Sequence, residues 1–475
     1  MPSTRTTPQI HSLLALSFKD IMSIVSRSPH NPSDVVATIE ETADVASAVA
    51  AARIAQRAWW ASGAATRSGS MTNAANALAA RTDEVAALIV REVGKPIAEA
   101  VGEVGRAVAI LRYYAQASYA PKGDMFPPSA KGFLWSERRP HGVAGLITPW
   151  NFPVAIPLWK AAPALAAGNA VVIKPSPDAI ASAALLNEIL QPHFPANLIN
   201  FVFGGAEVGE ALVDNADVIS FTGSNAVGKQ IAVAATRRGI PVQSEMGGQN
   251  AAIVLPCADI ESTAAMIAGA SMWFAGQKCT CTRRVITLGH QPEFIAALVA
   301  AVEALKTGDP ATAGNTVGPL INETSMMKFR SALESAKAIG AEVLTGGDVV
   351  AGDGFFVQPT ILRGVPADHP LSCDEVFGPL LTVHEATSLE HAIELAESVR
   401  YGLATSVHGT QHDVIMRVVE SVHTGMIKVN AGTTGVDFYA PFGGERESSI
   451  GMREQGMVAL DFYSSTHTVT YSPSK

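Results

Sequence analysis

Two textures of hydrophobic patterning divide the chain. Over 35–60 and 71–115, Ala, Leu, Glu and Arg recur at helical spacing, which predicts two or three long helices. Gly94-Lys-Pro96 interrupts the second block, and a proline fits the first turn of the next helix. A segment rich in Pro, Gly and Lys spans 121–140, and its part 132–138 has the look of an exposed strand. From Gly142 onward short apolar runs alternate with Ala-rich helical ones. Strands are predicted at 143–148, 170–174, 199–203, 218–222 and 242–245, and helices at 178–190, 206–213 and 225–236. Such alternation predicts a doubly wound parallel sheet, with ligands at the carboxyl ends of its strands. A second α/β pattern begins near Gly247. It has strands at 251–255 and 285–288, helices at 260–273, 292–305 and 322–339, and strand-rich segments to Val429. The tail, 462–471, alternates Thr with Tyr, His and Val, as a pairing strand does.

Composition narrows the class. The chain has 475 residues, enough for two or three cores, and 48% of them are hydrophobic. A net charge of −9 without a dense basic cluster excludes a nucleic-acid partner. Four cysteines are too few for a disulfide scaffold and point to a reducing compartment. No zinc-ligand spacing occurs, so no metal is expected. The apolar patch at 13–18 is short for a signal peptide and lacks a cleavage site. The stretch 143–173 holds Lys160 as its only ionisable residue, but Pro149, Pro153, Pro157 and Pro163 interrupt it, which argues against a membrane span. A cytoplasmic protein is expected.

Candidate chemistry centres on 273–284, between a predicted helix and a predicted strand. Cys279 is the candidate nucleophile. Gly276 permits a sharp turn before it, and Lys278, Arg283 and Arg284 are expected to favour the thiolate. The plainer alternative is a small buried apolar residue. Lys174-Pro-Ser176 ends one strand. Phe221-Thr-Gly-Ser224 ends another and opens a helix, where Gly223 and Ser224 offer N–H donors to an anion. The G-x-G-x-x-G and P-loop patterns are absent. Asn151, Glu245 and Glu375 also stand at predicted strand ends, where each alone reads equally well as a cap.

Together these segments carry a resemblance. Pro149-Trp-Asn-Phe-Pro153, Lys174-Pro-Ser176, Phe221-Thr-Gly-Ser224, Glu245-Met-Gly-Gly248, Gly276-Gln-Lys-Cys279, Glu375-Val-Phe-Gly-Pro379 and Pro441-Phe-Gly-Gly444 resemble the aldehyde dehydrogenase superfamily in kind and order. The resemblance implies an α/β fold: a Rossmann-like cofactor domain over 1–123 and 141–246, a catalytic domain over 247–444, and a small β oligomerisation arm from 124–140 and 445–475. It implies a small-molecule aldehyde substrate, NAD or NADP as cofactor, and a homodimer or homotetramer. It casts Cys279 as the nucleophile and gives the oxyanion to the Asn151 amide and the Cys279 N–H. Glu245 becomes the activator of hydrolytic water, and Glu454 a second carboxylate in a proton relay. Cofactor contacts fall to Thr148, Pro149, Trp150, Lys174, Ser176, Gly204, Thr222, Gly223, Ser224, Glu375 and Phe377. The substrate pocket falls to Phe152, Ile156, Trp159, Lys278, Thr280, Phe438 and Phe442.

Departures sharpen the expectation. NAD-preferring members often carry Glu three residues after the lysine of Lys-Pro-Ser; here that residue is Pro177, so NADP is expected to be tolerated. Succinic semialdehyde dehydrogenases have arginine at the position of Trp159. The segments 151–160, 243–248, 434–437 and 453–456 look more like the bacterial α-ketoglutarate semialdehyde (2,5-dioxovalerate) dehydrogenases, with Arg283 as a spare cation. An anionic semialdehyde is therefore expected, with an aromatic or aliphatic aldehyde as the alternative. Cys281 resembles the partner in a reversible disulfide of some semialdehyde dehydrogenases; a buried bystander is the alternative. A CoA-acylating enzyme or a non-enzymatic relative is disfavoured because Cys279, Asn151 and Glu245 occur together.

Overall fold

The computed structural model describes residues 22–473, so the patch at 13–18 lies outside it. Its centre is a six-stranded sheet in the order Ser449–Ile450, Val242–Glu245, Val218–Thr222, Val143–Ile147, Ala170–Lys174, Ile199–Phe201. The last five are parallel, and Ser449–Ile450 closes one edge antiparallel to Val242–Glu245. Val143–Ile147 and Ala170–Lys174 are buried at every position, as expected of strands covered on both faces. Strand order reverses beside Val143–Ile147, which opens a crevice at the carboxyl ends. Thr148, Lys174, Thr222 and Glu245 stand there.

A seven-stranded sheet comes next, in the order Glu342–Thr345, Thr360–Arg363, Leu380–Ala386, Thr282–Leu288, Asn250–Val254, Ala404–His408, Met426–Val429. All but the first run parallel. Thr282–Leu288 starts three residues earlier than its apolar run at 285, because Arg283 and Arg284 are buried within the strand. Their guanidinium groups reach main-chain carbonyls, which takes up most of their donors inside the fold.

Two readings of the ends need correction. The helix predicted from residue 35 begins at Val45, where the Asp44 carboxylate accepts from Ser47 N at 2.9 Å. Asn31–Glu40 is instead a strand paired with Ser23–Ser28. Its β-branched Val35, Val36, Thr38 and Ile39 suit a pleated surface better than a helix. Four helices come after it rather than two or three: Val45–Ala61, Gly63–Ala80, Thr82–Val93 and Ile97–Ala117.

In the segment 445–475 only Ser464–Tyr471 joins the small outlying sheet, pairing with Phe133–Pro140, which also pairs with Met125–Phe126. Ser449–Ile450 belongs to the six-stranded sheet. Val458–Phe462 is a short helix against Ala155–Ala167. That last helix is buried almost throughout. Among the described residues no helix is long and apolar enough to cross a membrane.

Candidate active site

Helix Ile260–Met272 ends in a left-handed turn. Phe274, Ala275 and Gly276 have φ of 56°, 51° and 67°. A Cβ at Gly276 would lie 2.4 Å from the Gly378 carbonyl oxygen, so that position requires glycine. Two side-chain amides lock the segment from Gln277 to Cys281. Gln277 Nε2 donates to the Phe274 and Pro319 carbonyls at 3.2 and 3.0 Å, and its Oε1 accepts from Ile321 N at 2.9 Å. Asn250 Nδ2 donates to the carbonyls of Cys279 and Cys281, each at 2.8 Å. Cys279 thus sits on a pinned turn, partly open to a cavity, while Cys281 is fully buried; both are free thiols.

The nearby cations do not serve this thiol as expected. Lys278 is engaged by Glu99 at 2.8 Å. Arg283 donates to the Gly276 and Gly378 carbonyls, and Arg284 to those of Gln249, Leu395 and Ala396. Burial, and after it the negative charges of Glu375 and Glu245, pushes the Cys279 thiol well above its usual range. Arg283 does not line the cavity at Cys279, so it is not placed to meet a substrate there either.

Asn151 is buried beside this turn, its Nδ2 donating to the Gln277 carbonyl at 2.9 Å. One of its two amide hydrogens is used there, which leaves the other for a second acceptor. The next residues are fixed from helix Ile97–Ala117. Glu103 Oε1 accepts from Val154 N and Ala155 N at 2.9 and 3.0 Å, at the entry of helix Ala155–Ala167. Glu103 is paired with Lys95, both fully buried, and Lys95 Nζ lies 3.7 Å from the Phe152 ring centroid.

Glu245 ends its strand. Its Oε2 accepts from Ser449 Oγ at 2.6 Å, and its Oε1 is buried without a protein partner. Burial, and then the charge of Glu454, raise its carboxyl well above the ordinary range. Glu454 is buried and paired with Lys160, and Ser220 Oγ lies 3.1 Å from the same carboxylate oxygen. Lys160 was visible in the sequence as the lone charge in 143–173, a signal used there only to test for a membrane span.

A cavity of about 300 Å³ opens at Cys279. Phe152, Ile156, Trp159, Lys278, Thr280 and Phe442 line it, as expected. Phe438 does not; it packs edge-on against Tyr113 and Tyr439. Arg106, which sequence reasoning missed, lines the cavity and donates to the Val436 carbonyl at 2.6 Å. It forms no ion pair among the described residues.

A larger cavity, about 530 Å³, lies at the crevice between helices Ala206–Asn215 and Asn225–Arg238. Lys174 and Pro177 border it, with Gly205 and Ala206 at a helix N-terminus and Val227 and Ile231 as apolar walls. Burial draws the Lys174 amine down to about 8. Several features fit a dinucleotide. Thr148 Oγ1 and Thr222 Oγ1 are buried without protein partners. The Ser224 side chain makes no capping bond and is exposed at the start of helix Asn225–Arg238. The Glu375 carboxylate rests on Gly247 and Gly248, where a Cβ at Gly247 would fall 2.3 Å from its Oε2. Half-buried Pro149 leads into Trp150, whose ring meets Phe377 edge-on at 5.8 Å. One expected donor is otherwise engaged, and Ser176 keeps its hydroxyl hydrogen free. Gly223 N donates to the Glu245 carbonyl at 3.0 Å, which fixes that loop to the neighbouring strand and removes it as an anion donor. Ser176 Oγ accepts from Asp178 N at 3.3 Å. Gly204 is required because a Cβ there would collide with Val208 and Glu41.

Known proteins establish the family. The model of the aldehyde dehydrogenase family matches residues 19–469, and the chain belongs to that family. It is 37% identical to the α-ketoglutaric semialdehyde dehydrogenase of Bacillus subtilis, over 94% of each chain. It is 38% identical to the α-ketoglutarate semialdehyde dehydrogenase of Haloferax volcanii, over 93% of this chain and 94% of the other. Among solved structures, betaine aldehyde dehydrogenase from Staphylococcus aureus in complex with NAD+ superposes with a TM-score of 0.91. It is 29% identical, over 94% of this chain and 91% of that one. The protein is an NAD(P)-dependent aldehyde dehydrogenase, an oxidoreductase that converts an aldehyde to its carboxylic acid.

Proposed function

We propose that Cys279, Asn151 and Glu245 perform the chemistry, with Glu454 behind them, and that the substrate is an anionic semialdehyde such as 2,5-dioxovalerate. The observation that carries the chemistry is the junction at Gln277. Its carbonyl holds the Asn151 amide beside the turn that presents Cys279. Cys279 Sγ, as the thiolate left when its proton passes to solvent, adds to the aldehyde carbon. The oxyanion is met by the free Asn151 amide hydrogen and the Cys279 N–H, donors worth about 3 kcal/mol each in such sites. Bound NAD(P)+ supplies the acceptor for the hydride lost from that carbon, and a thioester remains on Cys279. Glu245, with Oε1 free, takes a proton from the water that attacks the thioester, and the C–S bond breaks to release the acid. Ser449 orients Glu245 for this step, and the Lys160–Glu454 pair lies behind it as a route for the proton. A hydrolytic carboxylate in this place favours acid over acyl-CoA as product.

The substrate class rests on Arg106. It is the cation of the Cys279 cavity that makes no contact ion pair among the described residues, with Glu103 and Asp437 acting on it only from a distance, and a substrate carboxylate would give it a direct partner. The named activities of the relatives from B. subtilis and H. volcanii support the same reading. In a panel of aldehydes, Arg106→Gln is expected to raise KM for 2,5-dioxovalerate about 10- to 100-fold, the loss of one charge-assisted contact, with little change for benzaldehyde. An equal effect on both aldehydes would refute the assignment. The apolar walls Phe152, Ile156, Trp159 and Phe442 favour an aromatic or aliphatic aldehyde as the second reading, and the same panel separates the two.

Among the described residues we assign the cofactor unit to 22–123 and 141–246 and the catalytic unit to 247–444. Residues 124–140 and Ser464–Tyr471 form an arm. The arm exposes Met125, Phe126, Phe133 and Tyr471 and leaves Ser464–Tyr471 as a free edge, which another subunit would cover. A homodimer or homotetramer is expected by light scattering at micromolar concentration; a monomeric mass would contradict it. Four free cysteines favour a reducing, cytoplasmic setting.

A further inference from the structure

Pro177 removes the acid that often meets the adenosine ribose, and taken alone it predicts that NADP is tolerated. The structure brings an acid to the same end of the crevice from far away in sequence. After strand Asn31–Glu40 the chain is pinned to the loop beyond Ile199–Phe201. Thr42 N donates to the Phe203 carbonyl at 2.7 Å, and Thr42 Oγ1 accepts from Phe203 N at 2.9 Å. This places Glu41 so that its Oε1 accepts from Gly205 N at 2.9 Å. Gly205 caps helix Ala206–Asn215 and lines the cofactor cavity together with Lys174. Gly204 makes room for the carboxylate: a Cβ there would lie 2.6 Å from Glu41 Oε1.

The helix N-terminus that would attract a ribose phosphate is thus already occupied by a carboxylate of the protein. The surrounding charges act in the same sense. Lys174 is the only cation lining this cavity among the described residues, whereas Glu210 and Asp214 also line it. Asp178 stands close enough to act on Lys174, as does Glu41. A 2′-phosphate would enter a predominantly negative setting.

We propose that Glu41 supplies the discriminating acid missing at Pro177 and makes the enzyme select NAD over NADP. The inference rests on the assignment of this crevice to the adenosine end of the cofactor. The test is calorimetric titration of the full-length enzyme with NAD+ and NADP+, without substrate, for the wild type and Glu41→Gln. Glutamine keeps an acceptor for Gly205 N while removing the charge. The wild type is expected to bind NAD+ at least about tenfold more tightly than NADP+, and Glu41→Gln to raise NADP+ affinity about tenfold while NAD+ affinity changes by less than about threefold. Adenosine 2′,5′-bisphosphate against 5′-AMP is the second pair, since it isolates the 2′-phosphate. Equal wild-type affinities for NAD+ and NADP+, or a ratio that Glu41→Gln leaves in place, would overturn the proposal. If Glu41→Gln changes the dinucleotides but not the mononucleotides, the effect lies away from the ribose and the proposal fails. Binding of neither dinucleotide would overturn the cofactor assignment and this inference with it.

Discussion

Cys279→Ala is expected to lose aldehyde oxidation almost completely, with kcat/KM falling about 10⁴- to 10⁶-fold, the scale of removing a covalent nucleophile. The fold should survive. The Cys279 carbonyl, not its side chain, is the atom held by Asn250, and the side chain is small and partly open to the cavity. The variant's thermal midpoint and NAD+ affinity should therefore stay close to wild type while the rate disappears. Cys281 does not replace it, being fully buried. The reaction rate of the wild type should also rise with pH. Burial beside Glu375 and Glu245 holds the thiol up, so the reactive thiolate fraction grows as pH increases. Full oxidising activity in Cys279→Ala would end this assignment.

Glu245→Gln is expected to slow turnover about 10²- to 10⁴-fold, the range for loss of a general base, while the first turnover persists. The two half-reactions separate because Glu245 acts on the water and not on the attack by sulfur. A burst of about one NAD(P)H per active site should precede a slow steady state. Glutamine preserves an oxygen to accept from Ser449 Oγ, so the local structure should hold. The pH dependence gives a second signature. The Glu245 carboxyl is raised, so below its elevated pKa it is protonated and cannot accept the proton from water. Deacylation in the wild type should therefore rise with pH through that pKa, and the limb should be absent in Glu245→Gln. A variant with wild-type turnover, or with no burst, would contradict the role.

Most of the scaffold of this site was legible in the sequence, because parallel strands buried on both faces write continuous apolar runs. Those runs alone put Asn151, Lys174, Thr222 and Glu245 at strand ends. The family pattern then put Cys279 on its turn. What stayed hidden were charges whose partners are distant in sequence. Glu103 and Arg106 sit on a long helix whose sequence marks no position as part of a site, yet both line the Cys279 cavity. Arg283 and Arg284 read as a positive field for the thiol, whereas backbone carbonyls take up their donors. Glu41 carried no signal at all, because its effect depends on the strand Asn31–Glu40, which from residue 35 onward read as helix. The same blindness misjudged Gly223, whose N–H faces the neighbouring strand rather than the crevice.

The most direct measurement is mass spectrometry of Glu245→Gln quenched during turnover with NAD+ and 2,5-dioxovalerate. The account predicts one added acyl group per chain, with peptide mapping placing it on Cys279. An adduct on another side chain, or a burst of NADH with unmodified protein, would contradict it.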